Sequence, residues 1–283
     1  MTMQVSHVAE GAGWRAGRFV CTAGPGDRPF EEQHDCYSIS LVTRGSFEYR
    51  SDHGERSLVP GALLLGNFGH CYRCGHDHGS GDECISFHFT PDLWEEIVAA
   101  TPGARQLAFS RAAHPPDWKL APLLARLETA VAPEILEEIA FDLAGAVLAA
   151  TDSGSGAPVR DLTRRDRVRI VEAVLTIEAE AEEGEAAPVS LAVLARGAGM
   201  SRFHFLRLFR RVVGMTPHQF LLRLRMQRAA TRLRQSRASV SQIAFQAGFG
   251  VLSTFNRQFK RIFGANPRAF RGGDGASPAR DSA

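Results

Sequence analysis

The chain has 283 residues, 44% of them apolar, enough for about two domains with real cores. Its first residues show no basic segment followed by an apolar one, and no apolar run approaches the ~20 residues that span a bilayer. A secreted or membrane-spanning chain is therefore not expected; a soluble, cytoplasmic one is, with its five cysteines as free thiols, metal ligands or redox sensors. The net charge of +2 conceals a division. Residues 186–273 hold no Asp or Glu but 15 Arg and Lys260, whereas the rest of the chain sets 17 basic residues against all 31 acidic ones. A segment of charge +16 without an acid repels itself unless a polyanion partners it, so nucleic acid is the expected partner of that half and not of the other.

Residues 1–90 read as β structure. The run from Tyr37 alternates, turns at Arg44, Gly45 and Ser46, and resumes at Phe47. A second turn falls at 51–54, a strand from Ser57 is broken at Pro60 and Gly61, and 85–89 alternates again. Short strands with regular turns predict a sandwich or barrel. Helical patterns follow in 91–150: one from Pro91, one over 118–130, and one from Pro133 to about Ala150. In the last, Ile135, Leu136, Ile139, Leu143, Val147 and Leu148 recur at helical spacing, which suits packing on the barrel, a dimer seam, or both. The Gly/Ser/Pro composition of 151–163 is that of a linker. A charged helix is expected over 164–183, and 272–283 is a low-complexity tail. The fold class is therefore α+β in two domains.

Residues 190–271 contain one pattern twice. At an offset of 49, Ser190, Leu194, Ala195, Ala198, Gly199 and Met200 match Ser239, Ile243, Ala244, Ala247, Gly248 and Phe249. At an offset of 50, Phe205, Arg207, Phe209, Gly214, Pro217 and Phe220 match Phe255, Arg257, Phe259, Gly264, Pro267 and Phe270. Each copy predicts a helix–turn–helix: 191–196 then 201–213, and 240–246 then 252–263. The glycines stand at the turn, and Ser190, Ser201 and Ser239 or Ser241 at the N-caps. A long helix from Thr216 and Pro217 joins the copies. Phe205, Phe209, Phe255 and Phe259 repeat at i,i+4 and belong to the core rather than to base stacking.

The spacing of Ile243, Ala244, Gly248, Phe249, Ser253, Phe255, Arg257, Phe259, Lys260, Gly264, Pro267, Phe270 and Arg271 resembles the AraC/XylS family of transcription regulators, over 164–271. The resemblance implies an all-α module of seven helices with two reading helices in successive major grooves. It places Phe203, His204, Leu206 and Arg207 of the first unit, and Leu252, Ser253, Asn256 and Arg257 of the second, against bases. Arg202, Arg210, Arg211, Lys260 and Arg261 suit phosphates. In the family, the arginine at positions 207 and 257 contacts DNA or serves as a structural ion-pair residue; Glu172 or Glu178 could supply the acid. Leu206 and Leu252 stand where relatives often carry polar readers, so they read thymine methyls or nothing.

The first 90 residues also concentrate ligand-type side chains: His34, Asp35 and Cys36; then His70, Cys71, Cys74, His76 and His78; then Cys84 and His88. This layout is similar to the cupin-like sensor barrel of the same family, with His34 and Cys36 at the place of a His-x-His pair and His70 as the later His. Thiolates with imidazoles suit Zn²⁺ or another soft metal in a tetrahedral set. Cys71 and Cys74 have the local spacing, Cys36 and Cys84 would complete the site, and His34 and His76 are further candidates. The competing reading is small buried thiols beside an organic ligand in the barrel, with Cys21 in the core. A transcription regulator, not an enzyme, is expected: 1–90 senses an effector or metal, 91–150 packs and dimerises, and 164–271 binds promoter DNA and works with RNA polymerase. The competing class is a cupin-type metal-dependent enzyme or a cysteine alkyl acceptor fused to a DNA-binding module.

Overall fold

A computed structural model of the chain describes residues 3–76, 81–127, 133–151, 163–183 and 190–272. The linker expected at 151–163 and the tail expected at 272–283 fall almost wholly outside the described residues. The strands are β1 (Met3–Gly11), β2 (Trp14–Cys21), β3 (Phe30–Gln33), β4 (Tyr37–Gly45), β5 (Phe47–Ser51), β6 (Gly54–Leu58), β7 (Leu63–Gly66), β8 (Cys71–Gly75), β9 (Asp82–Phe89) and the two-residue β10 (Ala113–His114). They form two antiparallel sheets, β1-β2-β9-β4-β7-β10 and β3-β8-β5-β6. The broken strand at Pro60–Gly61 is resolved as β6, a turn and β7. β1, β2, β3 and β8 add strands that the sequence reading did not single out.

Side-chain alternation divides the larger sheet. Ile39 and Leu41, Leu63 and Leu65, and Ile85, Phe87 and Phe89 face the helices that follow, in one core with Trp94 and Val98. The alternate residues, Ser38 and Ser40, Leu64, and Cys84, Ser86 and His88, line the space between the sheets. The helices on the outer face are α1 (Pro91–Ala100), α2 (Ala121–Leu127) after a 3-10 turn at Trp118–Leu120, and α3 (Pro133–Thr151). The single helix expected over 118–130 is thus a 3-10 turn and a short α-helix, and 128–130 lie outside the described residues. Leu136, Ile139, Leu143, Val147 and Leu148 are buried against the sheet, so packing on the barrel accounts for them within one chain. Ile135 and Phe141 point outward.

Among the described residues, seven helices make up the C-terminal half: α4 (Arg164–Glu183), α5 (Leu191–Gly197), α6 (Arg202–Val213), α7 (Pro217–Gln235), α8 (Val240–Gln246), α9 (Leu252–Phe263) and α10 (Pro267–Gly272). The caps follow the sequence. Ser190, Ser201, Thr216 and Ser239 each accept a backbone N–H three residues on, and the last two complete capping boxes with Gln219 and Gln242. Gly214 and Gly264 end α6 and α9 in the left-handed region, where a side chain would be strained. The barrel docks on this half through α4 and α7. Glu178 accepts from the Gly45 N–H at 3.3 Å, Arg44 pairs with Glu182 at 2.6 Å, and Arg167 pairs with Glu55 at 3.0 Å. Gly61 leaves space for the buried Arg223 guanidinium, which donates to the Pro60 carbonyl. No described helix is long and apolar enough to cross a membrane.

Candidate nucleic-acid interface and effector cavity

Each helix–turn–helix unit is built on its phenylalanines. Phe205, Phe209, Phe255 and Phe259 are fully buried, with ring centroids 5.7 Å apart in the first pair and 5.5 Å in the second. Gly199 and Gly248, at φ 61° and 79°, turn α5 into α6 and α8 into α9. With the phenylalanines inward, the opposite faces of α6 and α9 turn to solvent. Ser201, Arg202, Phe203, Arg207, Arg210 and Arg211 are exposed on the first, and Ser253, Asn256, Arg257, Lys260 and Arg261 on the second. Phe203 is 77% exposed, too much for a core residue. His204, Leu206 and Leu252 are half-buried at the edges of these faces. Of the thirteen residues expected to touch DNA, none is buried.

The arginines divide into two populations. Those of α7 are occupied: Arg225 pairs with the buried Glu180 at 3.1 Å, Arg228 with Glu182 at 3.0 Å, and Arg234 lies over the Phe270 ring at 4.5 Å. Those of α6 and α9 are not. Among the described residues no carboxylate pairs with Arg202, Arg207, Arg210, Arg211, Arg257, Lys260 or Arg261. Of the α4 acids, Glu178 bonds Gly45 of the barrel, Glu180 pairs with Arg225, and Glu182 pairs with Arg44 and Arg228. Arg207 meets His204 Nδ1 at 3.4 Å, a neighbour on its own helix. Seven cations therefore stand on two exposed helix faces with their charge uncompensated, the condition for binding phosphates and base edges.

Between the sheets lies a cavity of about 130 Å³ lined by side chains of spacing two: Tyr72, Cys74 and His76; Asp82, Cys84, Ser86 and His88; Ser38 and Ser40. His34 also reaches it, stacking on Tyr72 with centroids 4.2 Å apart and meeting the Tyr49 hydroxyl at 2.8 Å. Burial lowers the pKa of His34 and of His88 to about 4, so both imidazoles are neutral at pH 7. Among the described residues His88 Nε2 has no hydrogen-bond partner. Burial, reinforced by the Asp82 carboxylate, pushes the Cys74 and Cys84 thiols well above their ordinary range.

The six expected metal ligands do not converge. His34, Cys74, His76 and Cys84 line the cavity; Cys36 and Cys71 do not. Cys71 and Cys74 lie on β8, and three residues along a strand point to opposite faces, so Cys71 is exposed and Cys74 buried. The C-x₂-C spacing works as a chelate in a loop but not along a strand. Cys36 stands beside Arg15 and Asp35 at the entrance to β4. His78 lies outside the described residues. Cys21 is buried as expected, but it does not stand apart from the ligand-type residues: its sulfur is within 4.8 Å of ligand atoms of His76 and Asp82. Asp82, not among the six expected ligands, begins a same-face run, Asp82, Cys84, Ser86 and His88, whose signal in the sequence is the spacing of two.

A β-rich, cupin-like domain with a polar cavity, followed by two cation-faced helix–turn–helix units, defines the class of the protein. Comparison with known proteins agrees. The AraC-like ligand binding domain matches residues 19–144 and the helix-turn-helix domain matches residues 194–273. The chain belongs to the AraC/XylS family of transcriptional regulators. It is 40% identical over 78 residues to an uncharacterised HTH-type transcriptional regulator of Haemophilus influenzae, covering 28% of this chain and 26% of that protein. It is 38% identical over 96 residues to the HTH-type transcriptional activator RhaS of Escherichia fergusonii, covering 34% of each. The chain thus spans between a quarter and about a third of the length of these curated relatives. A crystal structure of a transcriptional regulator with an AraC-type DNA-binding domain from Chromobacterium violaceum is 33% identical, covering 39% of this chain and 95% of that one, with a TM-score of 0.34.

Proposed function

We propose that the protein is a one-component regulator of transcription that binds promoter DNA through α6 and α9, each in a major groove, and whose cupin-like domain binds an effector. The observation that carries this is the set of seven uncompensated cations on the exposed faces of α6 and α9, in a segment without one acid. Arg207 and Arg257 read base edges, with Phe203, His204, Leu206, Leu252, Ser253 and Asn256 around them. Arg202, Arg210, Arg211, Lys260 and Arg261 hold phosphates. Residues 1–90 serve as the sensor, 91–150 as packing and dimerisation segment, and 164–271 as the DNA-binding module. The protein acts as a homodimer through the outer side of α3, where Ile135 and Phe141 are exposed, and works with RNA polymerase in the cytoplasm. It is a regulator rather than an enzyme: the relatives it matches are named as regulators.

The test is selection of bound genomic fragments by the purified full-length protein, then binding to the enriched site and to random DNA over a salt series. A steep salt dependence on both, with a tighter complex on the enriched site, is expected. No enrichment, or no difference between enriched and random DNA, overturns the reading.

A further inference from the structure

At one end of the barrel cavity three strands deliver soft and borderline ligands to one point. Cys21 ends β2, Asp82 begins β9, and the two are paired across the sheet; His76 directly follows β8 of the other sheet. One ligand atom from each lies within 4.8 Å of the others. The Asp82 carboxylate meets His76 Nε2 at 2.6 Å with one oxygen and the Cys84 thiol at 3.3 Å with the other. Cys21, His76 and Cys84 are each less than 9% exposed. The backbone is shaped for this approach. Gly81, at φ 78°, precedes Asp82, and a Cβ there would collide with the Cys21 carbonyl, so only glycine lets β9 start so close to the end of β2.

A buried His–Asp contact alone would account for two of these residues. It leaves unexplained why two thiols from different strands, neither in a disulfide, flank the same carboxylate. Three donors of types S, N and O are grouped within 4.8 Å, and the Cys84 thiol adjoins them through Asp82, so the four make up a tetrahedral donor set. Tetrahedral Zn²⁺ holds such ligands about 3.5 Å apart, given bonds of roughly 2.0–2.3 Å, so the grouped atoms and the Cys84 sulfur draw together as the metal enters. Thiolate and imidazole exclude Mg²⁺ and Ca²⁺ as the natural occupant.

We propose that Cys21, His76, Asp82 and Cys84 form a binding site for a soft divalent metal of the Zn²⁺ class, tying the two sheets together at the end of the barrel nearest α4. Both thiols release their protons to solvent as the metal enters. The place of the site gives it a consequence. Asp82 pairs in the β4–β9 ladder with Gly45, whose N–H is bonded to Glu178, and Glu83 pairs with Arg44, which holds Glu182. The metal is one strand away from the contact between the barrel and the DNA-binding half. Its occupancy therefore changes DNA affinity, a step that rests on the regulator reading, whereas the site itself does not.

The experiment uses the full-length protein, stripped with chelator under reducing conditions and titrated with Co²⁺ and Zn²⁺. One equivalent of Co²⁺ with tetrahedral ligand-field bands and a sulfur-to-cobalt charge-transfer band, displaced by Zn²⁺, is expected. Cys21→Ser and Cys84→Ser should each weaken metal binding on the order of 100-fold or more, since even outer-shell changes cost ten- to a hundredfold. Cys36→Ser and Cys71→Ser should leave it unchanged. The wild-type spectrum decides the matter even where a variant does not fold. Absence of that spectrum, or equal losses in Cys36→Ser or Cys71→Ser, overturns the site. DNA binding is measured on the same preparations. Stripped and Zn²⁺-loaded proteins that bind the enriched site equally overturn the coupling. A protein that keeps its cobalt spectrum and binds no DNA overturns the regulator reading and leaves the metal site standing.

Discussion

The two helix–turn–helix units share a sequence pattern but not their surroundings. The core of the first runs without a break into α4 and the barrel: Phe205, Phe209 and Val213 belong to one cluster with Ile170, Val174, Tyr49 and Leu58. The core of the second is separate and includes Ala121 and Ala125 of α2, with Trp118 packed on it. Their C-caps differ in the same sense. A Cβ on Gly214 would meet Pro115 of the N-terminal half, whereas among the described residues nothing lies within 4 Å of the Cβ position of Gly264. The N-caps differ too: Ser201 caps α6, while Val251 at the start of α9 supplies no side-chain bond. A repeated pattern thus sets what each unit is, and its neighbours set what each can feel. The N-terminal half thus shares a core with the first unit through α4 and the barrel, and with the second through α2.

The largest test of this difference removes a core ring from each unit. Phe209→Ala and Phe259→Ala should each cost about 3–5 kcal/mol. Only the first should raise hydrogen exchange at the amides of β4 and β5 as well, because only its core continues into the barrel. Equal exchange in the two variants breaks the comparison.

Next is the buried carboxylate at the barrel contact. Burial raises Glu178 from its ordinary value to about 7. The folded state then holds a proton that the unfolded state has lost, so this contribution to stability is greatest below about pH 4.5 and falls as pH rises to about 7. Glu178→Gln should stabilise the protein on the order of 1–3 kcal/mol at pH 8 and hardly at all at pH 5, measured by denaturant unfolding. The same gain at both pH values would contradict the assignment.

On DNA, Arg207→Ala and Arg257→Ala should each cost about 1–3 kcal/mol, in different halves of the site and at one base position each. Lys260→Ala should weaken binding to all sequences and reduce the salt slope by about 1. If Arg257→Ala loses equally on specific and random DNA, its reading role is wrong.

The smallest effects concern the caps. Ser201→Ala should lose about 1 kcal/mol and Val251→Ser should gain a few tenths to 1 kcal/mol, by thermal unfolding without DNA. A Val251→Ser variant no more stable than the parent would show that α9 takes its start from packing alone.

Much of the DNA-binding half is legible in the residues themselves. Helix positions repeat within a few residues, so Phe205 and Phe209 at i,i+4 declare a core, Gly199 and Gly248 declare turns, and the serines before each helix declare its start. Charge is also written locally, and the absence of acids from 186–273 marks the polyanion-binding half before any fold is known. In the barrel, alternation fixed which face of β9 would be apolar, for the same reason of short period. What belonged only to the tertiary structure was every property that depends on chain segments meeting from afar. Cys71 and Cys74 look like a chelating pair until β8 is known to be a strand, which parts them to opposite faces. Cys21 looks like an ordinary core thiol until the β2–β9 pairing brings Asp82 beside it and β8 brings His76. Which arginines are free was likewise decided by distant partners. Arg225 and Arg207 are the same residue on similar helices, and only the approach of α4 occupies one and leaves the other open to solvent.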